Sequence, residues 1–190
     1  MENILFDYVA RYINLSDEEK QIIRELSLTK YCKKGTCVLE AGKKSQDNYF
    51  VLKGCLRCYY LIDGEEKTTE FYTELDVLSP PCVKDGTYSD YYISCVEDTV
   101  LLVSNPQIEQ ESFARFPRFE MLCRVISENV AAKTKKELDN FKTSSPEQRY
   151  LRLLQERPDL FQRIPQHQLA SYLGITPQSL SRLRGRLVKK

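Results

Sequence analysis

The last stretch of the chain, "GITPQSLSRLRGRLVKK", carries side chains that can hydrogen-bond to nucleic acids. If a helix begins at Pro177, then Gln178, Ser181 and Arg182 lie on one side of it and the leucines lie on the other. Amide and guanidinium groups can form paired hydrogen bonds with the edges of adenine and guanine, and arginine and lysine also bind phosphates. These residues therefore indicate recognition of DNA rather than catalysis.

The residues just before this helix predict a second helix and a tight turn. Leu169, Ala170 and Leu173 mark the inner face of a short helix, and small Ala170 lets the two helices approach closely. Gly174 suits a turn that needs positive φ, and Thr176 is a natural N-cap ahead of a proline at the first helical position. This spacing predicts a helix-turn-helix, and the alternative is an ordinary helical hairpin with a solvated basic face.

We divide the polar residues of the second helix by their expected contacts. Gln178, Ser179, Ser181 and Arg182 are predicted to face the major groove, and Arg186, Lys189 and Lys190 to bind phosphates. Arg184 lies on the rim of the apolar side, where we expect neither contact. The predicted DNA-binding residues are Thr176, Gln178, Ser179, Ser181, Arg182, Arg186 and Lys189.

Charge is distributed unevenly along the 190 residues. Residues 1–142 hold 19 Lys or Arg against 24 Asp or Glu, net −5, whereas residues 143–190 hold 9 against 3, net +6. The two parts therefore face different partners, and the basic part suits a polyanion.

Composition argues against metal, cofactor and catalytic chemistry. The chain has a single histidine, His167, which argues against a His-rich metal site and a Ser-His-Asp triad, and so against a metal-dependent cupin enzyme. We expect His167 to be a solvated residue. Seven cysteines, an odd number, are interpreted as reduced thiols, and Cys55 and Cys58 would point to opposite faces of a strand. We expect no enzyme activity, metal or cofactor.

No apolar stretch is long enough for a membrane span, and the N-terminus "MENILFDYVARYINL" lacks the basic start of a signal peptide. We expect a soluble, cytoplasmic protein.

The rest of the chain predicts a strand-rich part between helices. A capping box at Ser16 and Glu19 favours two short helices within residues 4–27. Residues 31–104 contain short runs rich in Val, Tyr, Thr and Cys, separated by glycine turns, and Asp63-Gly64 predicts a two-residue hairpin. We therefore predict an α+β fold with an N-terminal antiparallel barrel or jelly roll.

A longer helix is predicted from about Pro117 to residue 142. Its apolar stripe contains Phe119, Leu122, Ile126 and Val130. The stripe could pack on the chain's own strands, but a helix of this length favours pairing with a second copy. A capping box at Ser145 begins the next helix, and the domain boundary is predicted at residues 143–145.

This order of parts resembles the CRP/FNR superfamily of bacterial transcription regulators. The resemblance is strongest over "LASYLGITPQSLSRLRGRL" and extends to "YFVLKGCLRCYY" and "CVEDTVLLVSN". It implies a cyclic-nucleotide-binding-like domain at 1–116, a dimerisation helix at 117–142 and a DNA-binding domain at 143–190. It further implies a homodimer that binds double-stranded DNA and, as a further partner, RNA polymerase.

Two departures from that family concern the DNA-binding part. Well-known members have Arg, Glu and Arg where this chain has Pro177, Gln178 and Arg182, so their preferred DNA site cannot be carried over. The segments flanking the helix-turn-helix are also too short for the usual hairpin and full wing.

A third departure concerns the effector. Family members that bind cyclic nucleotides use a Gly-Glu pair and an Arg-Ser/Thr-Ala segment, yet this chain has no arginine between Arg57 and Arg115. We predict a degenerate pocket that does not bind cAMP in the usual way and takes an unknown effector or none; the alternative for its tyrosines is half-buried strand positions. The pocket residues are predicted to be Glu74, Lys84, Tyr88, Ser89 and Asp90. The rival function is a ligand-binding or protein-interaction domain whose terminal helices no longer bind DNA.

Overall fold

A computed structural model describes residues 2–26 and 28–188. The chain forms two compact units: Met1–Arg57 with Phe71–Ala131, and Cys58–Glu70 with Ala132–Lys190. The sequence analysis divides the chain into 1–116, 117–142 and 143–190, and that division by function stays a prediction. It did not anticipate that a segment from the middle of the chain, Cys58–Glu70, would belong to the same unit as the C-terminal helices.

Within the described residues, eight strands form two four-stranded antiparallel sheets. One has the order β1-β8-β3-β6 and the other β2-β7-β4-β5. The strands are β1 Leu28–Cys32, β2 Cys37–Leu39, β3 Asn48–Lys53, β4 Leu56–Ile62, β5 Glu65–Tyr72, β6 Val77–Leu78, β7 Tyr92–Cys95 and β8 Thr99–Ser104. Among the described residues the sheets do not close into a barrel, so the jelly-roll form of the prediction is confirmed.

Nine helices are described. They are α1 Glu2–Val9, α2 Asp17–Leu26, α3 Pro81–Asp85, α4 Pro106–Arg115, α5 Arg118–Thr143, α6 Pro146–Glu156, α7 Leu160–Arg163, α8 Gln166–Tyr172 and α9 Pro177–Val188. The short α3 and α7 were not predicted, because four or five residues are too few to show a helical period. None of the described helices combines the length and the apolar character that crossing a lipid bilayer requires.

Local signals fixed several of these boundaries. In the capping box before α2, the Ser16 amide donates to Glu19 Oε2 at 2.7 Å and the Glu19 amide donates to Ser16 Oγ at 3.2 Å. Between β4 and β5, Asp63 and Gly64 both have positive φ, 53° and 79°. Positive φ at both central residues is the requirement of a type I′ hairpin turn, so the Asp-Gly prediction is confirmed.

The first unit is held together by apolar side chains from both sheets. Residues of β3, β4, β7 and β8 are fully buried, namely Val51, Leu56, Ile93 and Leu101. Burying one such side chain stabilises the fold by about 1.5–3 kcal/mol, so this core carries the unit's stability. Cys32, Cys55, Cys82 and Cys95 of the same unit are also buried, and none of them forms a disulfide.

Candidate nucleic-acid interface

The turn between α8 and α9 is a Schellman motif, a hydrogen-bonded way of ending a helix. The Ile175 amide donates to the Ala170 carbonyl at 3.0 Å, and the Gly174 amide donates to the Ser171 carbonyl at 3.0 Å. Gly174 has φ +70°, and a Cβ there would lie 3.1 Å from Cζ of Phe141. The backbone conformation at this position therefore favours glycine, and a side chain there would also have to displace the Phe141 ring slightly.

The next helix starts as the sequence predicts. The Ser179 amide donates to Thr176 Oγ1 at 3.2 Å, and Thr176 Oγ1 lies 3.0 Å from Ser179 Oγ. Pro177 occupies the first turn of α9, where a missing N–H is not needed. Thr176 is therefore the N-cap of α9, and its hydroxyl also contacts the Ser179 hydroxyl.

The described part of α9 has one buried face and one exposed face. Leu180 is 0% exposed and Leu183 is 4% exposed. Leu169, Ala170 and Leu173 of the preceding helix and turn are buried as well. The predicted base-reading and phosphate-binding residues on the opposite side are exposed, namely Gln178, Ser181, Arg182 and Arg186. Ser179 and Arg184 are half-buried, and Lys189 and Lys190 lie outside the described residues.

The arginines of the C-terminal part fall into two groups. Arg163 pairs with Asp159 at 3.2 Å, Arg157 lies 3.8 Å from Glu70, and Arg152 donates to Ser144 Oγ at 3.2 Å. Within the part of the chain that the structure describes, Arg182 and Arg186 form neither an ion pair nor a side-chain hydrogen bond. The two exposed cations of α9 are therefore available to an external anion.

Arg149 of α6 fixes the turn of the helix pair to the end of α5. Its Nε and Nη2 atoms donate to the Leu173 carbonyl at 3.1 and 2.9 Å, and Nη1 donates to the Ser144 carbonyl at 2.7 Å. The guanidinium also lies 4.5 Å from the centroid of the Phe141 ring. Leu173 ends α8, so one side chain satisfies a helix-end carbonyl and joins three helices.

The outer side of α8 binds the β4–β5 hairpin. The Ser171 hydroxyl accepts a hydrogen bond from the Thr68 amide at 2.9 Å and donates to the Glu66 carbonyl at 3.2 Å. Strand β5 is an edge strand in its sheet, so the hydroxyl bridges backbone groups that have no neighbouring strand on that side. Burial raises the pKa of the Tyr172 hydroxyl, and the Glu70 and Glu137 carboxylates raise it further, so Tyr172 stays neutral and bonds to Glu70.

The four residues of the predicted dimerisation stripe on α5 differ in their exposure to solvent. Phe119 and Leu122 are only 5% and 7% exposed, because they pack within their own chain, as the alternative in the sequence analysis allowed. Ile126 is half-buried and Val130 is 36% exposed. Phe119 and Leu122 are therefore covered within their own chain, Ile126 and Val130 are more accessible, and the dimerisation role of the stripe stays a prediction.

Of the five residues predicted to form an effector pocket, two are hydrogen-bonded to backbone groups and three are exposed. Glu74 Oε1 accepts a hydrogen bond from the Gly54 amide at 2.8 Å. Buried Ser89 donates its hydroxyl to the Tyr91 carbonyl at 2.8 Å, and its backbone bonds to Gly42 and Lys43. Lys84, Tyr88 and Asp90 are exposed, and Lys44 lies 5.2 Å from the centroid of the Tyr88 ring.

A cavity in the first unit lies elsewhere. It has a volume of about 300 Å³, is lined by residues 37–40, 43–47 and 49, and includes none of those five predicted residues. Its lining carries charges of both signs, including Lys43, Lys44 and Asp47. Among the described residues, no group of three or more His, Cys, Asp or Glu could hold a metal ion.

Sequence reasoning missed Arg149 and Ser171, and it did not single out Gly185 of α9. Arg149 and Ser171 act through partners 24 and 103 residues away, for which the sequence offers no local signal. Gly185 did leave a signal, because a glycine inside a helical run is costly and usually has a packing or functional reason.

Comparison with known proteins gives structural neighbours only. No family model and no curated protein sequence matches the chain. The catabolite activator protein of Thermus thermophilus matches with a TM-score of 0.57 and 19% identity over 96% of this chain and 87% of that one. A CooA variant from Carboxydothermus hydrogenoformans matches with a TM-score of 0.69 and 17% identity over 97% and 84%.

A third match is the c-di-GMP responsive global regulator CLP of Xanthomonas campestris. Its TM-score is 0.70 at 15% identity, over 92% of each chain. At these identities the likeness shows a shared fold, and it extends over nearly the whole chain.

Proposed function

We propose that this chain, whose fold is that of the CRP/FNR regulators, is a sequence-specific DNA-binding transcription regulator that acts as a homodimer. The proposal rests on the exposure of Arg182 and Arg186 and on their lack of ion-pair partners among the described residues. Both project from a capped helix-turn-helix helix, both are exposed, and neither makes an ion pair among the described residues. Charged side chains held this way on the second helix of the motif suit the major groove of DNA.

We assign base contacts and phosphate contacts to different residues of α9. Gln178, Ser181 and Arg182 are proposed to read base edges, with half-buried Ser179 contributing less because Thr176 engages its hydroxyl. Arg186 is proposed to bind phosphate. Lys189 and Lys190 are proposed to add further phosphate contacts.

Dimerisation is proposed to use the exposed part of α5. Val130 and Leu138 are exposed apolar residues there, and Ile126 is half-buried. A symmetric pair of chains would present two α9 helices to a two-fold-related DNA site. RNA polymerase is proposed as the further partner of the DNA-bound dimer.

Binding to DNA is tested by fluorescence anisotropy with mixed genomic fragments at 50 and 200 mM salt. A dimer with about six phosphate contacts loses roughly 10³-fold in affinity between these concentrations, because counterions are released on binding. A charge-removing control, Arg182→Ala with Arg186→Ala, should show a clearly smaller salt dependence. If the wild-type chain shows no salt-dependent binding, the rival reading of a ligand-binding or protein-interaction domain is favoured.

The effector pocket is proposed not to bind cAMP in the family's usual way. No arginine lies between Arg57 and Arg115, the Ser89 hydroxyl is already bonded to backbone, and Asp90 places an acid near the expected phosphate. A cyclic phosphate is normally held by charge-assisted hydrogen bonds, which these groups do not offer.

We therefore expect no change in melting temperature with cAMP in a thermal-shift measurement. A ligand present at 100 times its dissociation constant stabilises a protein by about 2.7 kcal/mol, which corresponds to a shift of roughly 5–10 °C for a chain of this length. A shift of that size at micromolar cAMP would contradict the degenerate pocket. A panel of other cyclic nucleotides, measured alongside, tests for a different effector.

A further inference from the structure

Gly185 lies at the centre of the exposed face of α9. At about 100° per residue, it is within roughly 20° of Gln178 and lies between Ser181 and Arg182 around the helix. The residue is exposed, and the leucines Leu180 and Leu183 are buried on the other side. Glycine therefore occupies the middle of the surface that faces DNA in the proposed function.

The fold itself does not require glycine at this position. A Cβ added to Gly185 would meet no atom of the described residues within 4 Å, and the φ of Gly185 is not in the left-handed region, unlike that of Gly174. Alanine would fit without strain and favours a helix interior over glycine. Neither packing nor backbone conformation accounts for the glycine, which points to something outside the chain.

The surface around Gly185 is concave and basic. A depression of about 640 Å³ is lined, among the described residues, by Ser179, Arg182, Gly185 and Arg186. These lining residues include two guanidinium groups that have no partner among the described residues, and they include no acid. Its charge is complementary to a phosphodiester strand, because arginine side chains bind phosphate oxygens through charge-assisted hydrogen bonds.

We propose that Gly185 is the point of closest approach between α9 and DNA, with one strand of the duplex lying in the depression over it. The inference rests on the proposed function. Without a side chain at this position, the helix axis can come closer to the groove floor by about the length of a methyl group. Arg182 then reaches base edges while Arg186 binds the adjacent phosphate, so Gly185 is a positioning residue for both contacts.

The test is a series of substitutions, Gly185→Ala and Gly185→Leu, measured by anisotropy on the same genomic fragments. We expect Gly185→Ala to weaken binding roughly 5- to 100-fold, the range for losing one good base contact, and Gly185→Leu to weaken it further. Both residues favour a helix, so the melting temperature should stay level or rise by about 1–4 °C. Weaker binding by a more stable protein cannot result from unfolding.

Equal binding by the wild type and Gly185→Ala would overturn the inference while leaving the proposed function intact. Failure of the wild type itself to bind DNA would overturn both. A double-mutant cycle then tests the mechanism. In an Arg182→Ala background, Gly185→Ala should cost much less than it does alone, because the contact that it obstructs is already gone. Additive losses would show that Gly185 does not act through Arg182.

Discussion

Replacing Arg149 by alanine is expected to lower the free energy of unfolding by about 2–4 kcal/mol, the largest loss that we predict for a single residue of the C-terminal part. The substitution removes hydrogen bonds to the Leu173 and Ser144 carbonyls and the contact with the Phe141 ring. The Leu173 carbonyl ends α8 and would lose its partner. Urea denaturation followed by circular dichroism, at one fixed protein concentration, measures the effect; the chain has no tryptophan for fluorescence.

Arg152→Ala is the matched control, because Arg152 lies on the same helix and donates a single hydrogen bond, to Ser144 Oγ. We expect that substitution to cost under about 1 kcal/mol. Arg149→Lys should recover only part of the loss, since an ammonium group cannot span the same carbonyls. Equal costs for Arg149→Ala and Arg152→Ala would show that the contacts of Arg149 do not hold the turn.

Arg182→Ala is expected to weaken binding to the specific DNA site by about 1–3 kcal/mol and to change binding to unrelated DNA little. The reason is its position: exposed on the face opposite Leu180, one turn into the capped helix, without a partner in the described part of the chain. The measurement is anisotropy on two duplexes, one containing the preferred site and one scrambled.

Two neighbouring substitutions serve as controls for Arg182. Arg186→Ala should weaken binding to both duplexes alike and reduce the salt slope by about one per protomer, as expected for a phosphate contact. Arg184→Ala, at a half-buried position off the exposed face, should change the ratio between the duplexes little. If Arg182→Ala also costs the same on both duplexes, then Arg182 binds only the backbone and base reading lies elsewhere.

Features set by neighbouring residues could be predicted from the sequence. The Ser16 and Ser145 capping boxes, the Asp63-Gly64 turn and the Gly174 turn each depend on side chains within four positions of one another. Such short-range chemistry leaves few alternatives for the backbone. The turn at Gly174 and the start of α9 at Pro177 could therefore be predicted.

The sequence could not predict which surface packs against the apolar stripe of α5. The spacing of Phe119, Leu122, Ile126 and Val130 indicates a helix with one apolar side, but the same period serves packing within a chain and packing between chains. The structure shows the first two buried in their own unit and Val130 exposed. Periodicity fixes which residues share a face and not which surface meets it.

Contacts between segments far apart in the sequence could not be predicted either. The hydrogen bond from Ser171 to the Glu66 carbonyl joins residues 105 apart in the sequence. Nothing in the sequence around a serine in a helix indicates such a distant partner. The Ser89 and Glu74 side chains were assigned to a pocket by resemblance, yet both bond to backbone groups near them. A polar residue's partner depends on the tertiary arrangement, which a linear pattern does not contain.

The central claim, that the exposed face of α9 reads DNA, is tested most directly by selecting duplexes from a random pool with the wild-type chain. We predict enrichment of a two-fold-symmetric site whose half-sites lie about 10 base pairs apart, centre to centre, and loss of that enrichment with Arg182→Ala. An unenriched pool with the folded wild-type protein, or the same enriched site with Arg182→Ala, would contradict the account.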